Sequence, residues 1–109
     1  MKNPKIDYNG NKSWYNNVGN SHRENGPTVV SRNGNKYWYQ HGQLHRVDGP
    51  AIEYSNGTKY WYQHDILHRE DGPAIEGPNR PKEWWIKGEQ LNTSSQEEFI
   101  RYLKLKAFW

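Results

Sequence analysis

The chain has no cysteine, few aliphatic residues and no long apolar run in its 109 residues. Without cysteine there is no disulfide framework, no thiolate metal site and no cysteine nucleophile, so packing and hydrogen bonds must carry the stability. Nothing approaches the roughly 18 apolar residues that span a bilayer. The N-terminus is polar and lacks the apolar stretch of a signal peptide. A soluble, cytoplasmic protein without membrane contact is expected. A strong charge of one sign is missing too. The formal net charge is +3, with an excess of three positive charges in residues 1–34 and one in 81–109, and near balance between. A dedicated nucleic-acid protein ordinarily shows a larger, clustered excess.

What apolar material there is comes from rings: six Trp, eight Tyr and two Phe, against a single Met. Each large ring buries on the order of 150–250 Å², so a thin aromatic core replaces a bulky aliphatic one. A deep catalytic cavity is hard to build from so little material. The length suits one domain over residues 1–109.

A period of 23 residues organises the chain. Trp38, Trp61 and Trp84 follow it, as do His22, His45 and His68, and Gly26, Gly49 and Gly72. The repeated run is Tyr-Trp-Tyr-Gln-His, then Leu-His-Arg-x-Asp-Gly-Pro-Ala-Ile-Glu. The first unit is degraded, with one extra residue between Trp14 and His22 and with Asn25 in place of Asp. The last keeps Lys82-Glu-Trp-Trp and Lys87-Gly88 but replaces His-Arg with a helical segment. Atypical terminal units are the mark of caps on a repeat array.

Within a unit, Ala51 to Ser55 and Thr58 to Gln63 read as strands joined by Asn56-Gly57, and Asn33-Gly34 recurs one unit earlier. Asn-Gly is the signal for a type I′ hairpin turn, which needs positive φ at both positions. His41-Gly42 and His64-Asp65 turn the chain again into a short third segment at Leu-His-Arg. Alternation places Tyr37, Tyr39, Tyr60 and Tyr62 on one face and Trp38 and Trp61 on the other. One face is expected to be covered by the C-terminal helix together with Leu44 and Leu67. Asn92-Thr-Ser-Ser-Gln-Glu-Glu offers capping registers such as Ser94 with Glu97, and Phe99, Ile100, Tyr102 and Leu103 supply an apolar stripe. The fold expected is mainly β: an antiparallel hairpin-repeat meander of about four units over residues 10–92, capped by one helix over 93–107.

The His-Arg-x-Asp-Gly-Pro-Ala motif, flanked by Tyr-Trp-Tyr and Asn-Gly, resembles the MORN-variant repeats of uncharacterised phage and bacterial proteins. The resemblance covers residues 10 to about 100. It implies a single-layered hairpin array used as a protein-binding platform. By analogy it implies a phage-type inhibitor, anti-CRISPR-like in style, that works in the host cytoplasm against a host enzyme or defence complex. The motif departs from the MORN pattern at His-Arg-x-Asp-Gly-Pro, so lipid association is not carried over.

His45 with Asp48, or His68 with Asp71, invites an acid–base reading. A catalytic site occurs once, however, whereas these residues occur once per unit. They are therefore read as architectural, with Asp and Arg bonding turn amides and neighbouring units. Equivalent histidines lie two strands apart, roughly 10 Å, too far to share a zinc ion. Only a bent loop bringing His41 or His64 to a different histidine leaves metal chemistry open. Gly49-Pro50 and Gly72-Pro73 have no following helix and no Lys-Ser/Thr, so a turn is read there and not a phosphate loop. No cofactor and no metal are expected.

The tyrosine ladder is the feature with three readings: cross-strand packing, a Tyr-rich protein interface, or stacking of single-stranded bases beside Lys36 and Lys59. The leading function is a non-catalytic protein-binding module using Tyr37, Tyr39, Tyr60, Tyr62, Arg46, Arg69, Asp65 and Glu70. The alternative is a single-stranded nucleic-acid or RNA-binding protein, and homodimerisation by edge pairing is a further expectation.

Overall fold

The computed structural model describes residues 3–15, 19, 23 and 26–106. His22 and Asn25 of the first unit lie outside these residues. The chain runs β1 (Lys5–Ile6), β2 (Lys12–Ser13), β3 (Val29–Val30), β4 (Lys36–Tyr37), β5 (Tyr39–Gln40), β6 (Gln43–Leu44) and β7 (Ile52–Glu53). It continues through β8 (Lys59–Tyr60), β9 (Tyr62–Gln63), β10 (Ile66–Leu67), β11 (Ile75–Gly77), β12 (Arg80–Glu83), β13 (Trp85–Ile86) and β14 (Glu89–Gln90) to α1 (Gln96–Lys106). Eight of the strands form one antiparallel meander in the order β1-β2-β3-β4-β7-β8-β11-β12. The others form three small hairpins, β5–β6, β9–β10 and β13–β14. The principal extents are 48 × 31 × 18 Å, those of a slab with one main layer.

Each unit divides at its tryptophan, because that residue's two backbone groups serve different ladders. The Trp38 amide donates to the Ala51 carbonyl across the large sheet at 2.7 Å, while the Trp38 carbonyl accepts from the His45 amide in the small hairpin at 3.0 Å. Trp61 repeats this with Ala74 and His68 at 2.8 and 3.1 Å. An expected strand over Thr58 to Gln63 therefore becomes two, β8 and β9, that share one extended run but not one partner.

The turns exchange roles relative to the Asn-Gly expectation. Gly34 and Gly57 have φ of 94°, but Asn33 and Asn56 are not in the left-handed region. The Gly34 amide donates to the Ser31 carbonyl, and the Ser31 amide donates to that of Asn35. This is a type I turn closed by a glycine bulge. The true two-residue turns with positive φ at both positions are in the small hairpins: His41-Gly42 (51°, 82°), His64-Asp65 (50°, 64°) and Lys87-Gly88 (50°, 81°).

The core follows from the motif. Arg46 lies over the Trp38 ring at 3.9 Å and Arg69 over Trp61 at 3.8 Å, and Arg23 takes the same place on Trp14 at 3.8 Å. Each guanidinium also donates to a proline carbonyl four residues on, Pro27, Pro50 or Pro73, at 3.1, 3.1 and 3.0 Å. Its other face lies against the motif glycine: a Cβ on Gly49 or Gly72 would sit 2.7 or 2.8 Å from the arginine Cζ. The glycine is there to leave room for the guanidinium. The motif aspartates hold the arginine and not the turn amides, Arg46 Nε to Asp48 at 3.2 Å and Arg69 Nε to Asp71 at 2.8 Å. Beneath the clamps, Ala51 and Ala74 are fully buried, and Ile52 and Ile75, on the other face of the sheet, are nearly so.

The helix serves as the clamp of the last unit. Where Arg46 and Arg69 cover their tryptophans, Phe99 packs against Trp84 at 6.5 Å between ring centroids, and Gln96 Oε1 accepts from the Trp84 indole at 3.0 Å. Gln96 Nε2 donates to the Asp71 carbonyl at 3.1 Å. The cap falls one residue after the Ser94–Glu97 register: Ser95 Oγ accepts the Glu98 amide at 3.2 Å.

Because Arg69 is held by stacking, by Pro73 and by Glu76, Arg69→Ala is expected to cost about 2–4 kcal/mol. Asp71→Ala removes a carboxylate that is 84% exposed and is expected to cost under about 1 kcal/mol. Gly72→Ala should destabilise through the same clamp, so its effect and that of Arg69→Ala should fall short of adding in urea unfolding of the double variant.

Candidate binding face

The register assigns residues to faces. Ser13, Val29, Tyr37, Ile52, Tyr60, Ile75 and Glu83 stand opposite one another across the sheet and share one face. Lys12, Val30, Lys36, Glu53, Lys59 and Glu76 form the adjacent row on the other. Tryptophans and arginines belong with this second row, since Arg46 and Arg69 reach Glu53 and Glu76 at 3.9 and 3.4 Å.

On the first face the tyrosines form one cluster. Tyr54 meets Tyr37 edge-on at 6.3 Å and Tyr60 edge-on at 5.6 Å, and Tyr60 stacks on Tyr62 at 6.4 Å. Tyr37, Tyr39, Tyr54, Tyr60 and Tyr62 are all half-buried. Leu44 and Leu67 stand opposite Tyr39 and Tyr62 in the small hairpins. At one end Arg80 lies over the Tyr60 ring at 5.5 Å, donates to its hydroxyl at 2.7 Å and pairs with Glu83 at 2.7 Å. At the other end Lys5 lies over Tyr15 at 5.1 Å. The helix and the leucines, expected to cover one face together, lie on opposite faces.

The expected site residues therefore divide. Tyr37, Tyr39, Tyr60 and Tyr62 come together, and Asp65 lies near them, in the turn after β9. Its carboxylate accepts the Leu44 amide at 2.6 Å. Arg46 and Arg69 are on the opposite face in the clamps, and Glu70, 75% exposed, pairs with His68 at 3.3 Å. Sequence reasoning missed Tyr54 and Arg80. Tyr54 was detectable, two residues beyond Ile52 in the same alternation. Arg80 had no counterpart in other units to mark it.

Two grooves of about 530 and 570 Å³ lie on the tryptophan side at successive unit boundaries, and a third of about 680 Å³ lies between α1 and the β13–β14 hairpin. A non-equivalent histidine pair does meet, His45 and His64, with ring centroids 4.3 Å apart. Among the described residues no group of three or more His, Asp or Glu is arranged to hold a metal ion. Among them too, no helix is long and apolar enough to cross a membrane.

Burial drives the ionisation of Tyr39, Tyr54 and Tyr62 upward, reinforced by Asp65 and Tyr37 beside Tyr39, by Tyr60 and Asp65 beside Tyr62, and by neighbouring phenols beside Tyr54. A group whose pKa is raised by folding contributes stability that is present below its unfolded value and is lost as pH rises through its folded one. Stability should thus fall as pH rises above the ordinary phenol value of 10.0. Spectrophotometric titration should show part of the tyrosine complement ionising later than free tyrosine, and a Tyr54→Phe variant should lose one of the late-titrating groups.

Compared with known proteins, the chain matches no family model, no curated protein and no solved structure.

Proposed function

We propose that the chain is a non-catalytic protein-binding module that docks a partner protein on its tyrosine face. The observation that supports this best is the cluster of four tyrosine rings in mutual contact, Tyr37, Tyr54, Tyr60 and Tyr62, with Tyr39 close by, on the face opposite the helix's contacts with Trp84 and Asp71. Tyrosine presents large, rigid contact area with a hydroxyl for hydrogen bonding, and mutual edge-on packing pre-orders the rings before a partner arrives. The motif resemblance extends the proposal to a phage-type inhibitor of a host enzyme or defence complex.

The register favours a protein over a nucleic acid as partner. Stacked bases need cations beside the rings to meet the phosphates. Lys36 and Lys59 are on the opposite face from Tyr37 and Tyr60, each across from a glutamate, Glu53 or Glu76, and Arg80, the cation beside Tyr60, is paired with Glu83. A face also suits docking better than an edge here. β12 carries Pro81 and Lys82 beside a bulged pairing, and β1 is only two residues long.

The test is capture of partners by wild type and two double variants, with and without nuclease. Tyr37→Ser with Tyr62→Ser should abolish capture of a protein that wild type retains after nuclease, with the folded spectrum kept. Lys36→Ala with Lys59→Ala should leave that capture intact. Loss on nuclease treatment, together with loss in the lysine variant and submicromolar oligonucleotide binding that weakens steeply with salt, would establish the nucleic-acid reading instead.

A further inference from the structure

We propose that the motif histidines are pH-operated latches between units: His45 and His68 hold the following small hairpin only while Nδ1 is unprotonated, and acidification releases the small hairpins from one another while the eight-stranded sheet stays formed.

The bond in question is the same at both joints. The His64 amide donates to His45 Nδ1 at 3.1 Å, and the Lys87 amide donates to His68 Nδ1 at 2.9 Å. A backbone N–H is always a donor, and an imidazolium has donors at both nitrogens, so protonation sets donor against donor. The loss falls on strained backbone. His64 and Asp65 have φ of 50° and 64°, and Lys87 has 50°, the left-handed region that side chains other than glycine adopt at a cost. What remains at the first joint is Asp65 with Leu44, through both backbone and side chain, the Arg46 amide on the Tyr62 carbonyl, and the Gln43 side chain at His64 Nδ1. At the second it is the Gly88 amide on Leu67 and the Arg69 amide on Trp85.

The surroundings set the direction. His45 is 8% exposed and faces the His64 ring, whose Nδ1 is 3.2 Å from Gln43 Oε1. Arg23 of the first unit, Arg46, Asp48 and Tyr39 line the groove beside it, and Asp65 is on the docked turn. Burial, then His64, push its pKa below the ordinary value of 6.5, so it is a neutral acceptor at neutral pH. Stability from such a group is full above 6.5 and declines as pH falls toward the folded value. Around His68 are Glu70 on Nε2, Arg69, Asp71 and Asp48 in the shared groove, and Lys87 on the docked turn. None of the eight sheet strands contains a histidine. Because Tyr39 and Tyr62 belong to β5 and β9, the latches also govern the order of the outer half of the tyrosine cluster.

Amide hydrogen exchange at about pH 7.5, above an ordinary histidine pKa, and at a lower pH where ¹⁵N spectra show the imidazoles of His45 and His68 protonated, tests this after correction for intrinsic exchange. Protection of His64, Asp65, Lys87 and Gly88 should fall at least about tenfold relative to the sheet amides of Ala51 and Ala74, the equivalent of roughly one net hydrogen bond. In His45→Asn with His68→Asn, the asparagine Oδ1 replaces the acceptor without titrating, and the relative fall should vanish. Unchanged relative protection in wild type, or the same fall in the asparagine variant, would overturn the proposal. Should the variant not fold, ¹⁵N titration of the wild-type histidines decides: loss of His64 and Lys87 protection must track protonation of His45 and His68, and protonation without loss refutes the latch.

Discussion

An arginine guanidinium is planar, keeps its charge across the accessible pH range, and donates in its plane while its two faces stay open for stacking. This fold uses all three properties at one place in each of three units. One face lies on a tryptophan, the other on a glycine, and the edge reaches a proline carbonyl. Lysine has no planar fork and alanine no charge, so neither fills that slot. The motif spacing follows from the geometry: the glycine comes three residues after the arginine and the proline four, because one guanidinium must touch both. With no cysteine and few aliphatic side chains, these clamps join the small hairpins to the sheet.

The clamp also determines the two-sided character of the molecule. It draws tryptophan, arginine and the Glu53 and Glu76 carboxylates to one side, and the helix joins them there because the last tryptophan has no arginine. By strand alternation the tyrosines must then take the other side. The basic residues at Lys36 and Lys59 fall into the clamp-side row, where opposite charges across from one another at Glu53 and Glu76 stabilise neighbouring strands.

The repeat, the mainly β meander and the C-terminal helix were all legible in the sequence, because periodicity and capping are local signals. So was the separation of Tyr37 and Tyr60 from Trp38 and Trp61, which needs only a two-residue period. The turn types were not. Asn33-Gly34 looks like a type I′ turn, yet the strand pairing over Ser31 to Asn35 imposes a bulge, and the left-handed pairs fall at His41-Gly42 and His64-Asp65, where tertiary bonds hold them. Likewise the role of α1 could not be read from its apolar stripe. It depends on Trp84 lacking an arginine and on Gln96 reaching both the indole and Asp71, contacts set by proximity in space.

Repetition within one chain also shows which side chains the backbone demands. In the central row of the tyrosine face, the equivalent positions of the four units hold Ser13, Tyr37, Tyr60 and Glu83, all in register. The sheet therefore closes its ladder around serine, tyrosine or glutamate alike. At the clamp, by contrast, Trp14, Trp38 and Trp61 each receive an arginine, and Trp84 receives a substitute in Phe99. One position is required by the architecture and the other is permitted by it. Tyr37 and Tyr60 thus occupy a place where the fold leaves a choice, and the choice made puts two large amphipathic rings against Tyr54 at the middle of the slab. Cross-strand packing contributes only about 0.2–1 kcal/mol per pair, a modest return for half-exposed rings. The docking proposed for this face would account for the same choice, through the larger contact energies that central tyrosines supply at interfaces.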